Sequence, residues 1–401
     1  MKNSLKSLCY SLFFCVLTSA VSVSANPDFE AWKREFYQDA LKKGVSQSVL
    51  DNHVPQMQLL ERVVRLDTQK PEYISNFFDY TKTRLTEKRI AKGKEMAKKY
   101  KTWLKRVEDK YGVPAEYLLA FWGLETNYGG YMGKVDMLDS LATLAYHPRR
   151  RKFFTNELIA YLKMVEEEPS VVPKLGSWDG GFGNFQFMPT TFRAYAVDGD
   201  NNGRRDIVRN IPDAFSSAAS YLSQMGWKKD EPWGREVVLP KNIDMQDVHQ
   251  NDIRTVSEWR KMGIVPKHVP HFTQSESDIK AKLRMPMGAS GPVFLTYPNY
   301  NLILRWNKHE LYALTVGILA DVLSGRSPVL ERPKDFKPIK TALVIDMQKK
   351  LSEKGFYDGK CDGRVGPKTR HAIRHYQIKN NLLTDGYPND VLFESLGCYS
   401  E

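Results

Sequence analysis

Residues 121–133, FWGLETNYGGYMG, place one carboxylate, Glu125, at the end of an apolar run and follow it with glycines. A carboxylate turned toward an apolar interior loses solvation for its charged form, and its pKa rises. That is how a glutamic acid stays protonated near neutral pH and serves as a general acid. A buried Glu neutralised by a lysine or arginine gives the same local pattern. The stretch KLGSWDGGFGNFQFMPTTFRAYAVDGD carries a glycine-rich turn with Asp179, then Gln186, Phe187, Met188 and Pro189. Glycines let a backbone approach a ligand closely, while aromatics and amides stack on and bond a sugar; an ordinary helix-capping loop has the same composition. Asp179 is the candidate for the second carboxylate that most glycosidases require. The segment DGDNNGRRD, 198–206, has EF-hand spacing: Asp198, Asp200, Asn202, a carbonyl at Arg204, and Asp206. Arg209 stands where a bidentate Glu belongs, so a calcium loop and an unmetallated turn both remain open. Nucleophilic catalysis finds little support, since there is no G-x-S-x-G. HAIRH, 371–375, lacks the Glu of a metalloprotease and reads as an exposed helix face.

The elements that must hold these groups are mostly helical. YGVPAEYLLAFWGLE reads as a helix, with Gly112 closing what precedes, Pro114 at a first helical position and the glycines from Gly129 ending it. At helical spacing Leu118, Phe121, Trp122 and Glu125 share one face. Residues 28 to about 230 keep a helical pattern, and the basic stretch 87–112 reads as a solvated helix face. From GREVVLP to GPVFLTYPNYNLILRW the pattern turns to short β-like runs punctuated by Gly and Pro. HELYALTVGILADVLSG then closes the large domain, expected to span 26–326. SPVLERPKDFKPIK, with Pro328, Pro333 and Pro338, reads as a stiff linker over 327–338. The remaining 339–401 form a module too small for a generous core.

The chain has 401 residues, 42% of them hydrophobic, and 59 basic against 47 acidic side chains. Residues 1–25 have the form of a secretory signal peptide: Lys2 and Lys6, an apolar run, then VSA before cleavage after Ala25. Phe14 before Cys15 argues against a lipoprotein signal, and no later stretch is apolar and long enough to span a membrane. Losing Lys2 and Lys6 leaves 57 basic groups against 47, an excess that suits an anionic polymer such as cell-wall glycan. Export argues against nucleic acid. Cys361 and Cys398 alone remain after cleavage, and two thiols in an exported chain favour one disulfide; no zinc spacing is present.

FWGLETNYGGYMG, LDSLATLAYHPRRRKFF, GSWDGGFGNFQFMPTTFRAYAVDGDNNGRRDI, AASYLSQMGW and LRWNKHELYALTVGILAD together resemble the lytic murein transglycosylase B family over nearly the whole large domain. The resemblance implies a mainly α (α+β) fold: a lysozyme-like helical domain with a β-rich insertion and a peptidoglycan groove, working in the periplasm. It implies cleavage of the MurNAc–GlcNAc β-1,4 bond without water, giving 1,6-anhydromuramoyl ends and needing no cofactor for the chemistry. Carried over, Glu125 is the single acid and base. Arg149 and Arg150 match groove arginines, Ser177 and Gln186 match polar groups lining the cleavage point, and Tyr221 and Tyr312 match active-site tyrosines. A calcium ion in the 198–206 loop has the family's support. Two departures are the turn GGFGN, with bulky Phe182 in place of AGAMG, and Trp306 where the family carries a tyrosine. The tail ALVIDMQKKLSEKGFYDGKCDGRVGPKTRHAIRHYQIKNNLLTDGYPNDVLFESLG resembles the type 1 peptidoglycan-binding domain, a three-helix module that would tether the enzyme to glycan strands. No motif specifies a protein partner in cell-wall synthesis or division.

Overall fold

Glu125 rides on a helix, Ala115–Thr126, that is buried on every side rather than along one stripe. A helix apolar all round belongs inside a core, not on its surface. Tyr117, Leu118, Leu119, Ala120, Phe121, Trp122 and Gly123 are all buried, so the single face read from the spacing was too narrow. Its neighbours are shaped for close approach. In the adjoining helix Glu310–Leu323, a Cβ on Gly317 would lie 2.2 Å from the Trp233 ring, so glycine is what lets the two surfaces meet. Gly112, at φ 71°, ends the preceding helix Lys101–Tyr111, and Pro114 stands just outside the central helix as its N-cap. Asn127, at φ 52°, turns the chain out of it in the left-handed conformation that Asn tolerates.

The computed structural model describes residues 26–68, 76–248, 252–326, 330 and 338–399. The leader, 1–25, and the linker, 327–338 apart from Leu330 and Pro338, lie outside the described residues. Around the central helix pack Glu310–Leu323, Glu87–Lys99, Lys101–Tyr111 and Ile211–Gln224; Phe77–Arg84 lies against Glu310–Leu323, and Met137–Tyr146 and Arg151–Glu167 pair beyond them. The β-like runs form one antiparallel five-stranded sheet in the order Arg254–Thr255, Lys280–Arg284, Val293–Thr296, Gly234–Val238, Val265–Pro266. Pairing of Val237 with Val293 and of Leu283 with Leu295 stacks a second apolar core, which includes the fully buried Trp259. Buried Glu276 ties this part together by accepting from Arg235 Nε at 2.8 Å, Thr273 N at 2.9 Å and Tyr297 Oη at 3.1 Å.

The tail folds as three helices, Thr341–Glu353, Pro367–Lys379 and Asp390–Leu396, around Val344, Met347, Leu351, Ile373 and Phe393. Gln348, fully buried, is satisfied by Gly363 N at 2.8 Å, Arg364 O at 3.1 Å and Thr369 Oγ1 at 3.2 Å. Cys361 and Cys398 stand as separate thiols, without the bond that their count favours. Cys398 faces Asp346 instead; burial, and then that carboxylate, push its thiol up to about 11. The module reaches stability with satisfied polar groups inside its core and with contacts to its neighbour. Arg374 Nη2 donates to Met245 O at 2.8 Å and Gln246 O at 3.0 Å, and Arg370 donates to Met285 O at 3.2 Å and Pro286 O at 3.1 Å. Ala289 N returns a bond to Asp385 at 3.2 Å.

Candidate active site

The carboxylate of Glu125 is half-buried in the last turn of its helix and walled by aromatic rings. Its Oε1 accepts two bonds, one from the Tyr312 hydroxyl and one from Trp306 Nε1 at 3.1 Å. Phe121 lies one turn before Glu125, its ring centroid 4.4 Å from that of Trp306. Burial pushes the Glu125 carboxyl up to about 7; the bonds from Tyr312 and Trp306 pull the other way, and the charge of Asp179 adds to the rise. Tyr312 is itself held well above its ordinary pKa by burial and by Glu125, so it remains a donor. The reading of Glu125 as neutralised by a lysine or arginine therefore fails: its hydrogen-bond partners are neutral.

The glycines after Glu125 have a physical reason. Gly133, at φ 98°, runs so close to the next segment that a Cβ there would sit 2.0 Å from the Gly176 carbonyl. Gln186, itself left-handed at φ 50°, donates from Nε2 to Gly183 O at 3.0 Å and Met132 O at 3.3 Å. Ser177 Oγ donates to Asp179 Oδ1 at 2.7 Å and accepts from Gly181 N at 2.8 Å, which closes the turn. Phe182 is fully buried against Phe192, so its bulk fills the core and not the groove. Asn184 anchors the turn to the acid's helix: its Oδ1 accepts from Trp122 Nε1 at 2.9 Å, and its carbonyl accepts from Thr126 Oγ1 at 2.8 Å. Tyr221 meets Trp306 edge-on at 5.1 Å and Tyr195 at 4.8 Å, and Phe187 lies 5.5 Å from Trp306.

Tyr80 belongs to this site and sequence reasoning passed it over. Its ring lies between the Arg84 guanidinium, 3.6 Å away, and the His309 ring, stacked at 5.1 Å. Burial raises its hydroxyl pKa, and Glu125 is close enough to add to that rise. The only signal was an aromatic and an arginine four apart on a short helix far from Glu125 in sequence. Arg149 and Arg150 are brought to a carboxylate within the protein. Both bind Asp67, Arg149 Nη1 at 2.7 Å and Arg150 Nη2 at 2.5 Å, and neither is bonded to Glu125. Burial would raise the Asp67 carboxyl, yet the two guanidiniums hold it below its ordinary value.

The 198–206 loop gathers carboxylates, but a different set from the one its spacing gives. Asp198, Asp200 and Asp213 offer oxygens within 4.8 Å of one another. Asp206 is turned away, its Oδ1 accepting from Val208 N at 3.0 Å and Arg209 N at 2.9 Å. Asn202 Oδ1 accepts from Arg204 N at 3.0 Å, an internal turn bond. Asp213, from the first turn of helix Ile211–Gln224, is the third carboxylate of the cluster, its Oδ1 accepting from Gly199 N at 2.7 Å and its Oδ2 from Asp206 N at 2.8 Å. Burial, and then the charges of Asp200 and Asp198, push its carboxyl up to about 6. The segment after this loop bonds directly to the active-site turn, with Asn184 Nδ2 donating to Ile207 O at 3.0 Å and Val208 O at 2.9 Å.

A helical domain that buries one acid beneath aromatic rings and a glycine turn is a glycan-cleaving architecture. The chain belongs to the Transglycosylase SLT domain family, which matches residues 28–321; residues 340–396 match the Putative peptidoglycan binding domain. It is 30% identical over 297 residues to the membrane-bound lytic murein transglycosylase B of Escherichia coli, covering 71% of this chain and 80% of that protein. SltB3 from Pseudomonas aeruginosa, solved in complex with NAG-anhNAM-pentapeptide, superposes with a TM-score of 0.86 at 35% identity. That match covers 93% of this chain and all of the other. The Escherichia coli lytic transglycosylase Slt35, solved in complex with calcium, gives 0.62 at 26% identity over 76% of this chain and 94% of its own. The mainly helical fold with a sheet insertion and a helical tail is the one the sequence implied.

Proposed function

We propose that this chain is an exported, periplasmic lytic transglycosylase that cleaves the MurNAc–GlcNAc β-1,4 bond of peptidoglycan without water. The observation that carries the reading is that both donors, Tyr312 and Trp306, bind the same oxygen of Glu125. Oε1 is therefore the acceptor, and the proton of a carboxyl raised to about 7 resides on Oε2. Glu125 gives that proton to the glycosidic oxygen as the C1–O bond breaks. The muramoyl C6 hydroxyl then attacks C1 on the same sugar and returns its proton to Glu125, so the acid is restored and no water is consumed. An intramolecular nucleophile needs no second carboxylate to activate it, because effective molarity supplies the rate. Tyr80, Tyr221 and Trp306 would stack the sugars, and Ser177 and Gln186 hold the turn against them. Arg149 and Arg150 would meet acidic groups of the peptide-bearing strand at the groove's edge.

Digestion of purified sacculi followed by mass spectrometry tests this. Products should be lighter by one water than a muramidase's and resist borohydride; reducible ends as the main product would establish hydrolysis instead.

The residues present fit a structural calcium ion: three carboxylates converge, and Asp213 is raised in part by the two charges it faces. Hard oxygen donors of this kind suit calcium. Asp198, Asp200 and Asp213 would hold it, and its charge would relieve their repulsion, fixing the segment that carries Ile207 and Val208. The tail module is proposed to bind the glycan wall.

A further inference from the structure

Asp179 is the one carboxylate outside Glu125 that the active-site turn itself supplies. It is half-buried, and its Oδ1 is fixed by Ser177 Oγ at 2.7 Å. The turn leaves it no freedom: Ser177 N donates to Gly181 O at 2.8 Å, Gly180 N to Ser177 O at 3.1 Å, and Gly180 sits at φ 86° with its Cβ position 2.4 Å from Leu141. The same turn pairs Phe182 with Phe187, and Phe187 rests on Trp306, the donor to Glu125. No salt-bridge partner satisfies Asp179 among the described residues, whereas Asp67, Glu276 and Asp321 each pair with arginine. A carboxylate placed for structure alone is normally paired when the fold half-buries it.

We infer that Asp179 is the second working carboxylate of the site: fixed by Ser177 on the turn that packs against Trp306, it stabilises the cationic sugar that forms as the glycosidic bond breaks. The inference rests on the transglycosylase reading for its substrate, and it assigns Asp179 no proton. As the C1–O bond breaks, positive charge develops on C1 and the ring oxygen, and a fixed negative charge near it lowers the barrier. The charge of Asp179 acts on Glu125 in the same sense, since it contributes to the raised carboxyl. The other groups facing Glu125 are Tyr312 with His309 at its helix start, and Tyr80 with Arg84 behind it. Burial and Arg84 push His309 below its ordinary pKa, so it adds little positive charge at neutral pH.

Asp179→Asn keeps an oxygen for Ser177 and removes only the charge. On a soluble muropeptide tetrasaccharide, kcat should fall about tenfold, the equivalent of about 1.4 kcal/mol, with KM nearly unchanged. Without the neighbouring charge Glu125 ionises more readily, so the alkaline limb of kcat/KM should move to lower pH. Ser177→Ala, which frees Asp179 to swing away, should shift the limb in the same direction by less. An unchanged limb and kcat in Asp179→Asn would reduce Asp179 to a turn former. Loss of a reducible-end fraction that the wild type makes would overturn the inference differently, identifying Asp179 as a base for water. Failure of the transglycosylase reading shows separately, in the wild-type products, because a hydrolysing Glu125 would still report the limb shift.

Discussion

Glu125 is both the acid of the site and a cost to the fold. Its carboxyl, ordinarily at 4.5, is raised to about 7 by burial. Between these values the folded state binds more proton than the unfolded chain, so stability falls as pH rises through the window and stays low above it. The full effect is at most about 3 kcal/mol, at 1.36 kcal/mol for each pKa unit. Glu125→Gln should therefore abolish turnover while making the protein more stable than wild type at pH 8, with no such gain at pH 4. Thermal unfolding of both proteins at the two pH values checks this, and a pH-independent difference would remove burial as the cause of the raised pKa. Trp306→Phe separates ring from donor. The phenyl ring keeps the stack on Phe121, but the bond that lowers the Glu125 pKa is lost. The alkaline limb of kcat/KM should then move to higher pH, opposite to the shift expected for Asp179→Asn.

At the scale of elements, what could be read from the chain was whatever a local stretch encodes. The acid's helix, its glycines, the 177–189 turn and the switch to strands each carry their own capping and periodicity. Tyr80, Asp67 and Asp213 were not legible, because each acts through a partner remote in sequence or on another element: Glu125, the arginines at 149 and 150, and the aspartates at 198 and 200. The loop shows the difference most clearly. Spacing alone selected Asp206, but the start of helix Ile211–Gln224 brings Asp213 in, its Oδ1 accepting from Gly199 N at 2.7 Å. Calcium should raise the melting temperature by binding the folded state alone. Asp198→Ala and Asp213→Ala should both abolish that rise, and Asp206→Ala should keep most of it. Equal loss in all three would restore the EF-hand set.

For the whole molecule the question is what the tail adds. A module that merely tethers raises the local concentration of enzyme at an insoluble wall and does nothing for the fold of its neighbour. The seam here is of another kind. Arg370 spends both arms, and Arg374 its Nη2, on carbonyls of the β-rich part, Asp385 takes Ala289 N, and a Cβ on Gly288 would fall 2.5 Å from the Asp385 carboxylate. Hydrogen bonds from charged donors contribute about 1.5–3 kcal/mol each when formed out of water. Removing residues 339–401 should therefore lower the melting temperature of the remaining chain by several degrees, at roughly 2–4 °C per kcal/mol for a domain of 150–250 residues. It should also slow digestion of sacculi more than that of soluble fragments. Arg370→Ala is the finer probe, since its two hydrogen bonds both cross the seam and the module's core does not depend on them. It should speed amide exchange at Ala289 and slow sacculus digestion, with the soluble reaction unchanged. A truncated chain that melts with the full one, yet no longer binds sacculi, would make the tail a free tether and the seam incidental.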